Sequence, residues 1–228
     1  MKHLVIGIGQ IGTAIQSILK CDGYDPFLNK TATGQYDVLH ICYPCTDKDE
    51  FAKAVRINKV QFNASLVVIH STIPVGTTTT IGSYAVHSPI RGVHPHLEEG
   101  IRTFSKFFGG SRAKEASKCF EDMGIEVICT EKPETTELMK LVDTTTYGIN
   151  ILIEKEIYRL CKEYGVDFNI AYTEANKEYN RGYLLLGMPQ YQKYILEHRE
   201  GGIGGHCVMP NVELFNSWMC DLLKIYGK

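Results

Sequence analysis

Three glycines near the amino terminus have the spacing of a nucleotide-binding loop. Gly7, Gly9 and Gly12 follow a short apolar run and precede a predicted helix. In a dinucleotide fingerprint the first glycine makes a tight turn, the second lets a pyrophosphate approach the backbone, and the third lets helix pack on strand. The first backbone amides of the helix, at Gln10 and Ile11, would then bind the anion. The spacing predicts a nucleotide site and argues against a plain tight turn.

The residues that would bind the adenosine ribose lie farther along the chain. An acidic residue is expected roughly 20 residues after the glycines, but Asp25, the residue at that distance, precedes Pro26. Asn29 can still bind the ribose hydroxyls, and Lys30 would favour a 2′-phosphate. We therefore predict NAD as the cofactor and leave NADP open.

Two further loops follow predicted strands and would line the same site. Tyr43 and Pro44 stand between two cysteines, a pattern that also occurs in redox and zinc sites. A zinc site needs a second ligand pair and a thioredoxin-like site needs the pair at a helix start, and neither is visible here. We predict instead that the backbone at Tyr43 and Pro44 lines the cofactor. Ser71 and Thr72 either form a capped turn or place hydroxyls beside the nicotinamide.

Later segments carry candidates for acid-base and nucleophilic chemistry. His94 and His96 could offer two metal ligands, but no matching carboxylate pair accompanies them, so we predict no metal site. His96 remains a candidate for acid-base catalysis because it follows a predicted strand end. Four glycines surround Cys207 within residues 201–207, and they would leave its thiol accessible.

An alternation of strands and helices would position these residues. Short apolar or β-branched runs occur at residues 4–8, 37–43, 66–70, 84–87 and 125–129. Parallel strands need long crossovers and bury both faces, so the alternation predicts an α/β fold of the Rossmann type with a doubly wound, mostly parallel sheet. Only residues 24–29 are available for the second strand, and Pro26 weakens that assignment.

A long central helix follows the predicted sheet. Pro133 suits its first turn and Gly165 suits its end, with a continuously apolar face between them. A second stripe, turned away from the first, contains Lys140, Thr144, Tyr147 and Ile151. We predict a dinucleotide-binding domain at residues 1–131 and a small helical dimerisation and substrate region at residues 132–228. A homodimer would form through helix 133–165.

The composition restricts the classes of partner. The chain has 228 residues, with 24 Lys and Arg against 26 Asp and Glu. Without a run of like charges, we predict no binding to nucleic acid or to an anionic membrane surface, and a small-molecule substrate instead. The longest apolar runs fall far short of the ~20 residues that span a bilayer. With no recognisable leader at Met1, we expect a cytoplasmic protein whose eight cysteines are reduced.

Four segments, taken in order, resemble the UDP-glucose/GDP-mannose dehydrogenase family. They are residues 7–12, 71–77, 137–141 and 204–207, and the last resembles the branch that acts on UDP-N-acetylhexosamines. The resemblance implies that a sugar C6 alcohol is oxidised twice, to a carboxylate, with two NAD. It also implies that Cys207 forms a thiohemiacetal and then a thioester, that Lys140 stabilises the oxyanion, and that Thr72 helps to place water near the nicotinamide.

The chain also departs from the family pattern. Thr144 stands where the family has an asparagine, and Asn211 stands where it has an aspartate. The family's sugar-nucleotide domain, which follows the cysteine, has no counterpart in these residues. Two alternatives therefore stay open. A two-electron hydroxyacid-type dehydrogenase or reductase would use Lys140 alone while Cys207 lines the pocket, or the Rossmann domain would bind NAD or S-adenosylmethionine without dehydrogenase activity.

Overall fold

The structure, a computed structural model, describes residues 1–92, 95–204 and 207–227 of the chain. These residues form two compact units, Met1–Leu141 and Val142–Lys228. All eight cysteines lie in the described ranges and carry free thiols. Within the same ranges, no helix is long and apolar enough to cross a membrane.

In its described residues, the first unit contains a seven-stranded sheet. The strands are β1 (His3–Ile6), β2 (Asp22–Tyr24), β3 (Val38–Ile41), β4 (Leu66–Ile69), β5 (Ala85–His87), β6 (Lys106–Gly109) and β7 (Val127–Thr130). They lie in the order β2-β1-β3-β4-β5-β6-β7, and every neighbouring pair is parallel except β5 and β6. This arrangement confirms the predicted Rossmann-type sheet.

Helices cover both faces of the sheet. In the described residues of the whole chain the helices are α1 (Gln10–Leu19), α2 (Lys48–Gln61), α3 (Thr77–Ile81), α4 (Leu97–Thr103), α5 (Ala113–Glu121), α6 (Pro133–Tyr164), α7 (Ala175–Leu185) and α8 (Trp218–Tyr226), and the last two belong to the second unit. Phe51 of α2 belongs to the apolar core on one face of the sheet. Ile15 of α1 and Phe120 of α5 belong to the core on the other face. Because both faces are covered, every residue of β4 is buried and apolar.

The chain changes direction across the sheet at β1. From β1 it passes to β2 on one side, and it then crosses to β3 on the other side. The carboxyl ends of β1 and β3 are therefore adjacent. The chain leaves β1 toward β2 and leaves β3 toward β4, in opposite directions along the sheet. In doubly wound sheets, ligands bind at this topological switch point.

Two strands differ from the sequence expectation. β2 ends before Pro26, which has no amide to donate to the ladder, and Pro26–Leu28 form a short 3-10 helix. The second strand therefore lies earlier than residues 24–29, the segment predicted for it. β6 was not predicted at all, because Lys106 opens it and glycines follow its two phenylalanines.

The predicted long central helix is present as α6. It begins at Pro133 and ends at Tyr164, and Gly165 follows with a φ of +66°, a conformation that favours glycine. Its residues up to Leu141 belong to the first unit and the remainder to the second.

The second unit has a small apolar core of its own. Its buried members are Ile203, Val208, Val212, Cys220 and Leu223, and residues of α6 pack against them. Gly148 of α6 permits this packing, because a β-carbon there would lie 2.6 Å from Cγ1 of Val208. The terminal helix α8 begins at Trp218, after a short 3-10 helix at Met209–Glu213.

Candidate functional site

Each glycine of the amino-terminal loop has a distinct structural role. Gly7 has a φ of +88°, and a β-carbon there would lie 2.8 Å from the amide nitrogen of Tyr43. A β-carbon on Gly12 would lie only 1.9 Å from the carbonyl oxygen of Gly7. On Gly9, by contrast, a β-carbon would meet no atom of the described residues within 4 Å, its chain neighbours apart. The first and third glycines therefore allow close packing, while the second faces open space.

The start of α1 is available to an anion. Gly9 is its N-cap, so no side chain caps the helix, and its first turn contains no acidic residue. Unpaired amides and the helix dipole favour negative charge at such a position. The open space at Gly9 and the amides of Gln10 and Ile11 fit the pyrophosphate of a dinucleotide.

Asp25 connects the end of β2 to the glycine loop. Its carboxylate is buried, and it accepts hydrogen bonds from the amides of Ile8 (2.8 Å) and Phe27 (3.1 Å). The proline that follows Asp25 had weakened this residue as a ribose ligand, but the structure keeps it at the carboxyl edge of β2. Asn29 and Lys30 are exposed just beyond it, and Asn29 has a φ of +53°. Asp25, Asn29 and Lys30 therefore all lie just after β2, where a ribose-binding residue is expected.

The loops after β3 and β4 are tied together beside the glycine loop. The hydroxyl of Ser71 donates to the carbonyl of Tyr43 at 2.6 Å, and Gly7 packs against the backbone of Tyr43. Pro44 is exposed next to it. Burial raises the pKa of the Cys45 thiol to about 11, the opposite of the shift that a redox-active cysteine needs. Gly7, Tyr43 and Ser71 therefore share one edge of the sheet, and the cysteine motif has no reactive thiolate there.

The loop of residues 71–76, which contains Thr72, contacts the first turn of α6. Glu137 of α6 is buried, and its carboxylate accepts hydrogen bonds from the amides of Gly76 (2.5 Å) and Thr78 (2.8 Å). Burial raises the pKa of Glu137, and the two amides oppose that effect. Lys140 follows one turn later on α6 and is half-buried. The structure thus places Thr72 and Lys140 on two elements that Glu137 joins.

His87, at the end of β5, contacts the same two elements. It is fully buried, with Nδ1 2.8 Å from the hydroxyl of Thr136 and Nε2 3.1 Å from the carbonyl of Ser71. Burial lowers the pKa of His87 to about 3, so the ring is neutral. Because a carbonyl only accepts, the proton is on Nε2 and Nδ1 accepts from the hydroxyl of Thr136, whose single proton is shared with the carbonyl of Pro133 at 2.9 Å. Sequence reasoning missed His87, Thr136 and Glu137 as site residues, since only the folded chain brings them together.

The other predicted acid-base and metal residues lie apart from these loops in the chain. His96 is exposed at the start of α4, where Nδ1 is 2.8 Å from a carboxylate oxygen of Glu99. His94, the second candidate metal ligand, lies outside the described residues. Among the residues that are described, no group of three or more His, Cys, Asp or Glu could hold a metal ion.

Cys207 belongs to the second unit. Its side chain is exposed, and its carbonyl accepts a hydrogen bond from the side-chain amide of Asn211. Thr144, the other departure from the family pattern, is buried on α6. Gly205 and His206, which complete the glycine-rich motif, lie outside the described residues. The accessible thiol is the feature that a nucleophile requires.

Two curated relatives show which proteins this chain is similar to. The UDP-N-acetyl-D-mannosamine dehydrogenase of Methanococcus maripaludis is 27% identical over 91% of this chain and 59% of its own length. That of Methanocaldococcus jannaschii is 26% identical over 78% of this chain and 44% of its own length. The predicted resemblance to UDP-sugar dehydrogenases is confirmed. The chain spans about half the length of these curated relatives, and no protein-family profile matches it.

Solved structures share the fold of this chain. A UDP-D-ManNAc dehydrogenase from Pyrococcus horikoshii superposes on the whole chain and on 68% of its own, with a TM-score of 0.80 at 20% identity. The 3-hydroxyisobutyrate dehydrogenase of Mycobacterium tuberculosis covers 73% of this chain and 66% of its own, with a TM-score of 0.58 at 16% identity. Both matches share the Rossmann-type fold of this chain.

Proposed function

We propose that this chain is an NAD(P)-dependent dehydrogenase that oxidises an alcohol or aldehyde, with a UDP-N-acetylhexosamine as the substrate class to test first. The observation that carries the proposal is the glycine loop. Gly7 and Gly12 pack tightly while Gly9 faces open space before the uncapped start of α1. The two curated relatives, both UDP-N-acetyl-D-mannosamine dehydrogenases, support the substrate class.

The residues around the switch point would hold the cofactor. The amides of Gln10 and Ile11 would bind the pyrophosphate, and Asp25 and Asn29 would bind the adenosine ribose. The nicotinamide half would lie along the loops that contain Tyr43, Pro44 and Ser71. When bound, NAD accepts the hydride from the carbon that is oxidised.

The chain's own side chains would handle charge and covalent chemistry. The ammonium of Lys140 would stabilise the oxyanion that develops on the substrate oxygen. The thiolate of Cys207 would add to the aldehyde carbon, and loss of a hydride would convert the thiohemiacetal to a thioester that water hydrolyses. Thr72 would help to place that water. His96 remains a candidate for acid-base catalysis, although its Nδ1 lies 2.8 Å from a carboxylate oxygen of Glu99.

We propose NAD rather than NADP as the preferred cofactor. The carboxylate of Asp25 is held at the end of β2 by two backbone amides, and a carboxylate that faces the ribose would disfavour a 2′-phosphate. Lys30 is exposed nearby and opposes this effect. Parallel titrations with NADH and with NADPH measure the cofactor preference directly.

We propose that the chain forms a homodimer through helix 133–165. Apolar side chains remain exposed along one face of α6, at Leu138, Val142 and Ile153, and Tyr147 is exposed on the opposite face. An exposed apolar stripe on a long helix is typical of an association surface. Light scattering should give twice the 25.6 kDa of one chain, and a mass equal to one chain would refute the dimer. The free thiols suit a reducing compartment such as the cytoplasm.

Turnover with defined sugar nucleotides tests the proposal. Purified chain is mixed with NAD or NADP and with UDP-N-acetyl-D-mannosamine, UDP-N-acetylglucosamine or UDP-glucose, and reduced cofactor is counted per substrate consumed. Two reduced cofactors per substrate support the thioester mechanism, and one supports a two-electron dehydrogenase. No reduction with any of these substrates would overturn the proposed substrate class.

A further inference from the structure

A buried carboxylate joins the first turn of α6 to the loop after β4. Glu137 is only 1% exposed, and both of its oxygens accept from backbone amides, those of Gly76 and Thr78. A buried carboxylate loses its hydration, and an apolar side chain of similar volume often stabilises a fold as well or better. Directed hydrogen bonds, however, also fix orientation, which an apolar contact does not.

A second set of polar contacts also joins α6 to the loop of residues 71–76. The hydroxyl of Thr136, the residue before Glu137, donates to His87, and the opposite nitrogen of that ring donates to the carbonyl of Ser71. His87 and Thr136 are both fully buried. The segment from Ser71 to Gly76 is therefore held at both ends, and Thr72 lies between the two attachments.

Lys140 lies three residues after Glu137 on α6. Residues three apart on a helix share a face, so the face that Glu137 presents to the loop is also the face that Lys140 occupies. The hydrogen bonds at Glu137 and Thr136 therefore act three and four residues before Lys140, about one turn away along the helix.

We propose that Glu137 and His87 are positioning residues for the oxidation. They hold the first turn of α6 on the loop of residues 71–76, so that the ammonium of Lys140 keeps a fixed relation to Thr72. The inference rests on the proposed function, because it concerns the group that stabilises the oxyanion. Neither residue needs to touch the substrate. Misplacement of a catalytic group by about 1 Å can lower a rate roughly 100-fold.

Two conservative substitutions test this role. In Glu137→Gln the side chain keeps its shape, but its NH₂ group faces an amide that also donates, so one hydrogen bond is lost. In Thr136→Val the side chain keeps its volume and loses the hydroxyl that binds His87. We expect kcat to fall by about 10-fold to 100-fold in Glu137→Gln and by less in Thr136→Val. The KM for substrate and the Kd for NADH should remain near the wild-type values.

A matched control is available on the same helix. Glu134 lies one turn before Glu137, and its carboxylate accepts from the hydroxyl of Thr79 at the surface and not from the loop backbone. Glu134→Gln should leave kcat unchanged. Amide hydrogen exchange supplies a readout without substrate, since the amides of Gly76 and Thr78 should exchange faster in Glu137→Gln and not in Glu134→Gln.

The outcomes separate the two proposals. If the wild-type chain oxidises no substrate, the proposed function fails. If the wild type is active and Glu137→Gln and Thr136→Val both retain its kcat, the positioning role fails and the proposed function stands. Equal losses in kcat and in NADH affinity, together with loss of folding by circular dichroism, would show a merely structural role and would also overturn the inference.

Discussion

A β-carbon on Gly12 would lie 1.9 Å from the carbonyl oxygen of Gly7, so the start of α1 packs directly on the turn that follows β1. No side chain fits between them. Gly9 lies between the two in sequence and has no such neighbour. One loop therefore contains glycines that the fold requires and one glycine that leaves room for a ligand.

Two alanine substitutions should separate these roles. Gly12→Ala forces the helix away from the turn, and we expect a loss of about 1–3 kcal/mol in the free energy of unfolding. Gly9→Ala should unfold like the wild type but bind NADH at least about 10-fold more weakly, because the methyl group occupies the pyrophosphate space. Thermal unfolding and a fluorescence titration measure the two effects. Wild-type NADH affinity in Gly9→Ala would contradict this division.

Asp25→Ala should change both stability and cofactor preference. The substitution leaves the buried amide of Ile8 without its acceptor, at about 1–3 kcal/mol, and removes the acceptor of the more accessible amide of Phe27. It also removes a negative charge from the ribose site. We expect the ratio of the NADPH and NADH dissociation constants to move toward NADPH, as measured by parallel titrations. An unchanged ratio would mean that Asp25 does not face the ribose.

A row of three histidines, His3, His40 and His70, crosses the sheet, and the last two are fully buried. Nδ1 of His3 is 3.0 Å from Nε2 of His40, and Nδ1 of His40 is 3.0 Å from Nε2 of His70. Nδ1 of His70 donates to the carbonyl of Ser88 at 2.7 Å, which orients every ring of the row when all are neutral. The ammonium position of Lys106 lies beside its end, 3.2 Å from the same carbonyl. Each hydrogen bond in this row suits uncharged rings.

This row should make stability depend on pH. Burial lowers the pKa of Lys106 to about 7 and holds the pKa values of His40 and His70 well below 6.5. The unfolded chain then binds more protons than the folded chain, below about pH 6.5 for the histidines and from about pH 7 to 9 for the lysine. Above about pH 9 the thiols of Cys21, Cys45 and Cys119, whose pKa values burial raises to about 11, act in the opposite direction. Stability should rise with pH in both windows, by at most about 1.4 kcal/mol per pH unit for each group.

Lys106→Met is the matched control for that prediction. Methionine has a similar length and no charge, so the rise in stability above neutral pH should be reduced while the acid limb remains. Urea unfolding at a series of pH values measures both limbs. A wild-type slope above pH 7 in Lys106→Met would assign that limb to other groups.

Cys207 should be the first cysteine to react with a thiol reagent. It is exposed, whereas the other seven cysteines are buried or half-buried. Substoichiometric iodoacetamide should therefore label Cys207 first, and the extent of labelling should match the loss of turnover. Mass spectrometry of the digested protein locates the label. Full turnover by Cys207→Ala would contradict the covalent mechanism. Cys45→Ser serves as the control for a buried thiol.

Local patterns predicted the parts of the fold that depend on neighbouring residues. The glycine spacing and the end of α6 at Gly165 follow from backbone conformations that few other residues adopt. The central strands of the sheet could be predicted because burial on both faces gives them nearly continuous apolar sequences. β6 escaped prediction because Lys106, a charged residue in solution, is buried there.

The contacts of the candidate site could not be predicted in the same way. Glu137 binds amides about 60 residues earlier in the chain, and His87 reaches Thr136 across a similar separation. Such pairs depend on the packing of α6 against the sheet, which no local spacing encodes. Asp25 is the intermediate case, because its position was visible while its backbone partners were not.

Binding of the cofactor tests the central claim most directly. The chain is titrated in parallel with NADH and with S-adenosylmethionine by calorimetry, and the NADH titration is repeated with Gly9→Ala. We predict saturable binding of NADH that Gly9→Ala weakens strongly, and no comparable binding of S-adenosylmethionine. Tight binding of S-adenosylmethionine with none of NADH would contradict the assignment as a dehydrogenase.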